Sequence, residues 1–130
     1  MMTESNSLGF KDMCERFEVT PRTLRYYEYI ELLSPRREGR SRFYGPREIA
    51  RMTLILRGRR FGFSLEEIRQ WLELYESHGT RNQYEVWIEL ADRQLGVLEG
   101  QIEDLIEVRR ELRELRDESL AILTRMTGAD

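Results

Sequence analysis

From Tyr84 onward, apolar side chains recur every three or four residues with no proline to interrupt them. Tyr84, Ile88, Ala91, Leu95, Leu98, Ile102 and Leu105 alternate by 4 and 3 residues, an unbroken a/d seam of three heptads. Arg109 would fall next, so the pattern skips. Val108, Leu112, Leu115, Ser119 and Ile122 then resume it, the signature of a stammer. The spacing predicts one helix beginning near Asn82, about 55–60 Å long at roughly 1.5 Å per residue. A head of about eighty residues cannot bury so long a stripe, and leaving it wet would forgo roughly 1.5–3 kcal/mol per large apolar side chain. A second copy of the chain is the simplest cover, so a homodimer is expected. Residues 82–118 are read as the dimerisation helix and 119–130 as a short C-terminal tail.

The stretch before the seam has a different chemistry. Between Pro21 and Phe63 there are eleven Arg, no Lys, four acids and seven Phe or Tyr. Planar guanidinium forks suit phosphates and guanine edges, and tyrosine hydroxyls donate to phosphate oxygens. The formal net charge of −3 would argue against a polyanion partner. Its distribution reverses that conclusion: residues 1–63 carry thirteen basic and eight acidic side chains, whereas 64–130 carry eight and sixteen. A basic binding head is thus joined to an acidic remainder.

Local signals divide the head, residues 8–77, into short elements. Residues 1–7 are polar and expected to fray. Phe10, Met13, Cys14 and Phe17 share one face of a helix over about 10–17. Thr20 as N-cap and Pro21 at the first position start a second helix to about Glu28, and the pair reads as a helix-turn-helix with the second helix as the reader. Leu32 and Leu33 form an apolar plug. Residues 36–44 read as a hairpin turning near Glu38-Gly39, with Arg40 and Arg42 projecting from the return strand. Gly45-Pro46 restarts helix, whose apolar face is Ile49, Met52, Ile55 and Leu56, and Gly62 closes it. Ser64 to Glu67 is a capping box, followed by Leu65, Ile68, Leu72 and Tyr75 at helical spacing.

The segments TPRTLRYYE (20–28), LLSP (32–35), GRSRFY (39–44) and GFSLEEI (62–68) resemble the MerR family of bacterial transcription regulators, and with the seam the resemblance covers about residues 8–118. It implies a mainly α fold, in which a winged helix-turn-helix head precedes an antiparallel dimerisation coiled coil. It implies a dimer on a pseudo-palindromic operator in an overlong promoter spacer, which it bends and untwists for RNA polymerase. Carried over, Thr20, Arg22 and Thr23 stand near phosphate and base edges, and Arg25 reaches into the major groove. Tyr26 and Tyr27 clamp backbone, Arg40, Arg42 and Tyr44 hold phosphates from the first wing, and Arg59 or Arg60 does so from the second. Glu18 departs from the family's turn glycine. Metal- and redox-sensing relatives use cysteines at the dimer helix or after it, whereas the one cysteine here is Cys14. No metal and no other cofactor is therefore expected.

Plainer readings stand beside these. Tyr26 and Tyr27 could be packing aromatics, and Arg59, Arg60 and Arg69 a solvated helix face. Arg109, Arg110, Arg113 and Arg116 alternate with acids and suit intrahelical pairs. Cys14 suits a small core residue, and a lone His78 makes no metal site. Trp71, Tyr75 and Trp87 either pack helix on helix or line a small apolar pocket for an organic effector. No nucleophile–His pair or phosphate loop is present, so no enzyme is expected. No apolar run approaches the length of a bilayer span, so a soluble cytoplasmic protein with no membrane partner is expected. The competing function is a coiled-coil protein-interaction module with DNA binding secondary.

Overall fold

The computed structural model describes residues 6–129, so the expectation of fraying at residues 1–5 and the last residue of the tail lie outside it. The elements run β1 (Leu8–Gly9), α1 (Phe10–Phe17), α2 (Pro21–Tyr29), β2 (Arg36–Glu38), β3 (Ser41–Tyr44), α3 (Pro46–Phe61), α4 (Leu65–Ser77) and α5 (Arg81–Ala129). Two compact units are present, and the boundary falls between Trp87 and Ile88, inside α5, rather than in the loop before it.

In the first unit the helix-turn-helix is built from local signals. The Thr20 Oγ1 accepts from the Thr23 N–H at 3.1 Å and Pro21 opens α2. Glu18, between the two helices, takes the left-handed conformation at φ 53° that a glycine would adopt freely. For an L-residue that conformation costs about 1–2 kcal/mol. Met13, Cys14, Leu24, Leu32 and Leu33 are buried, so the inner faces of α1 and α2 and the apolar plug meet in one core.

Behind that core, β2 and β3 form the expected hairpin, pairing Arg37 with Arg42 around a turn at Gly39 (φ 60°). Arg40 lies in that turn, not on the return strand. β1, which the sequence did not signal, adds a third strand by pairing Leu8 with Tyr44. Two residues carry no readable period.

Helices α3 and α4 complete the unit. Met52 and Ile55 are buried as expected, but Leu54 and Gly58 join them while Ile49 and Leu56 stay half-buried. Gly58 matters because a Cβ there would stand 2.7 Å from the Ile68 Cγ1, so its absence lets α3 and α4 touch. The capping box closes in both directions, at 3.1 Å from the Glu67 N–H to the Ser64 Oγ and 2.8 Å from the Ser64 N–H to the Glu67 Oε1. On α4, Tyr75, expected on the apolar face, is exposed, and Leu74 is buried in its stead.

α5 is 49 residues long and continues through the stretch read as a tail. In the second unit its side chains are mostly exposed. Arg110 pairs with Glu107 and Glu114, one turn away on either side, as the charge alternation suggests. Among the described residues no helix is long and apolar enough to cross a membrane.

Candidate nucleic-acid interface

The period of α2 sorts its side chains. Leu24 and Tyr27 turn inward, while Arg22, Arg25, Tyr26 and Tyr29 are exposed along one face. Tyr29, 83% exposed, is the member of this face that the motif match does not reach, because the matching segment ends at Glu28. Helical spacing was the available signal: steps of three and four residues from Arg22 and Arg25 arrive at Tyr29. Thr20 and Thr23 sit at the start of this face with their hydroxyls 2.9 Å apart, one donating to the other.

The wing is tied to α2 through one carboxylate. Glu28, whose side chain is 8% exposed, accepts from the Arg42 Nε at 3.0 Å and the Arg37 Nη2 at 3.3 Å, and the Tyr44 hydroxyl donates to its other oxygen. Arg42 and Tyr44 are two residues apart on β3 and therefore share a face, and that face turns toward Glu28. The expectation that Tyr44 holds a phosphate is corrected accordingly, because the residue is fully buried. Tyr27 is likewise in the core at 6% exposure, which favours packing over a backbone clamp. Arg42 keeps a partly exposed guanidinium. It stands 5.0 Å from the centre of the Phe10 ring, and Arg25 stands 5.2 Å from the same ring. Phe10 thus braces one cation from α2 and one from the wing.

Burial, and then the hydrogen bond to Glu28, push the Tyr44 hydroxyl far above its ordinary value of 10.0. The folded state therefore holds this proton more tightly than the unfolded chain. Its contribution to stability is complete below about pH 10 and declines as pH rises beyond it, by at most about 1.4 kcal/mol per pH unit. Difference absorbance at 295 nm should show no phenolate from Tyr44 until the head unfolds. A Tyr44→Phe variant with a smaller folded-state phenolate signal than the parent would contradict this.

The far end of α2 is held by two arginines. Arg51 donates from Nε to the Leu32 carbonyl at 2.8 Å, and Arg69 donates to the Ile30 carbonyl. Arg69 is therefore a structural contact and not the solvated face expected. Glu76 pairs with Arg51 and, at 2.8 Å, with the Arg47 Nε. Arg59 and Arg60 are exposed on the last turn of α3, before the turn at Gly62 (φ 95°).

Trp71 and Trp87 stack with ring centres 5.7 Å apart and planes 9° from parallel, and Phe61 and Phe63 close the cluster. Tyr75, expected beside them, is 66% exposed. Cys14 is buried, and burial raises its thiol pKa. Among the described residues no group of three or more His, Cys, Asp or Glu could hold a metal ion.

The chain matches two family models, "MerR HTH family regulatory protein" over residues 10–74 and "MerR, DNA binding" over residues 49–115. It is 37% identical over 109 residues to the HTH-type transcriptional regulator HmrR of Rhizobium leguminosarum bv. viciae, covering 83% of each chain. A MerR family transcriptional regulator from Bacillus cereus superposes with a TM-score of 0.64 at 27% identity, covering 83% of this chain and 78% of that one. PbrR691 from Ralstonia metallidurans CH34, solved in complex with lead(II), superposes with a TM-score of 0.57 at 26% identity, covering 82% and 83%. With the winged head, the exposed cationic face of α2 and these matches together, the chain belongs to the MerR family of DNA-binding transcription regulators.

Proposed function

We propose that the chain acts as a homodimer whose two heads occupy a pseudo-palindromic operator inside an overlong promoter spacer, which it bends and untwists for RNA polymerase. The observation that carries this reading is the exposed Arg22, Arg25, Tyr26 and Tyr29 face in a head whose chain continues into a long helix with an uncovered apolar seam. Arg25 reads base edges, Arg22 and Tyr26 hold the backbone, and Arg40 and Arg60 hold phosphates. The protein works in the cytoplasm, and no catalytic role is assigned to it.

The lead(II) complex of PbrR691 raises a metal as effector. The described residues do not fit one, since the single thiol is in the head's core and no ligand cluster accompanies it. An organic effector at Trp71 and Trp87 would have to pry their stacked rings apart, so packing is the favoured role there.

A circular-permutation gel shift on a fragment with an overlong spacer tests the distortion; uniform mobility of all permuted complexes would overturn it. Arg40 is the clean probe of phosphate contact, because Arg42 also braces the wing. Arg40→Ala removes two contacts per dimer, and the slope of log K against log salt is expected to shrink by about 1.8. An unchanged slope would remove Arg40 from the phosphate contacts.

A further inference from the structure

The reading of α2 as the DNA-facing helix, on which this inference rests, leaves Tyr29 without a contact. At about 100° per residue, Tyr29 falls between Arg22 and Arg25 around the axis of α2, in the middle of the exposed face. It is 83% exposed, more than any other large apolar or aromatic side chain among the described residues. Within those residues no hydrogen bond, ion pair or ring contact holds it. The chain leaves the helix axis at Glu31 (φ 64°), so Tyr29 is the last side chain of this face.

A helix C-terminus ordinarily repels phosphate, because its last carbonyls carry the negative end of the helix dipole. Here that end is neutralised. Arg69 donates to the Ile30 carbonyl, and the Arg51 Nε donates to the Leu32 carbonyl at 2.8 Å. The Glu28 carboxylate is turned inward onto the wing. What projects outward from the last turn of this face is therefore a neutral phenol with one hydrogen-bond donor.

We propose that the Tyr29 hydroxyl donates to a DNA phosphate oxygen on the wall of the major groove opposite the one met by the start of α2, with its ring lying along the deoxyribose. Thr20 and Tyr29 are nine residues apart, about 13–14 Å along the axis. That matches the roughly 12 Å width of the major groove, so the face reaches both walls. The contact carries no base information of its own. It fixes how deep and in which register Arg25 is presented to the base edges.

A duplex selected by the parent protein from a random-sequence pool serves as the probe. Tyr29→Phe is expected to weaken binding to it by roughly tenfold or more per dimer. The slope of log K against log salt should stay unchanged, because a phenol carries no charge and displaces no counterion. Methylphosphonates placed at successive phosphates should reveal one position per half-site whose cost disappears in the Tyr29→Phe protein. A Tyr29→Phe protein that binds like its parent would overturn the hydroxyl contact, whether or not Tyr29→Ala is weaker. A loss spread evenly over all methylphosphonate positions would overturn it too. Arg25→Ala separates the two levels: undiminished binding there would sink the reading of α2 itself, whereas a weakened Arg25→Ala beside an unaffected Tyr29→Phe would sink only the Tyr29 contact.

Discussion

Glu28→Ala is expected to destabilise the head by about 3–5 kcal/mol, the cost of breaking a buried charge pair from one side. The lost carboxylate leaves the Tyr44 hydroxyl and the Arg42 guanidinium without their acceptor on α2. Arg37 contributes less to this figure, because its side chain is 58% exposed. Wing and reading helix would lose their common anchor, so operator affinity is expected to fall along with stability. Urea denaturation gives the first quantity and a gel shift the second. Glu28→Gln keeps the shape and one acceptor oxygen and should recover some of both. A Glu28→Ala protein as stable as its parent would mean that the wing is held by the strand pairing and Phe10 alone.

Ile102→Glu is expected to abolish the dimer and weaken operator binding by roughly 10²–10⁴, the advantage of presenting two heads together. Each copy would carry one carboxylate into the seam, and an uncompensated buried ion costs several kcal/mol. Ile102 is 56% exposed in the single chain, so the head should fold as before. Sedimentation velocity and a gel shift on operator DNA check the two halves. A variant that still sediments as a dimer would exclude Ile102 from the seam, and a monomer with undiminished operator affinity would show that pairing is dispensable for recognition.

Features encoded within a few residues were legible in the sequence. Thr20 with Pro21 and Ser64 with Glu67 set helix starts through contacts three residues away or fewer, and both helices begin where expected. Glu28 was not legible, because its partners lie 9, 14 and 16 residues away and meet it only once the hairpin has folded back. The same folding reversed the reading of β3. Alternation ties Arg42 and Tyr44 to one face but does not say which face is buried. On α4 the apolar stripe is turned by one residue, from Tyr75 to Leu74, a shift within the tolerance of a 3.6-residue period.

The stacked indoles have an optical consequence. Trp71 and Trp87 are the chain's two tryptophans, so its tryptophan emission originates at a single place. Rings this close and this nearly parallel couple their excited states, and the near-ultraviolet dichroism of the protein becomes a built-in gauge of the joint between α4 and the first turns of α5. A movement there on binding a promoter would change that signal with no dye attached.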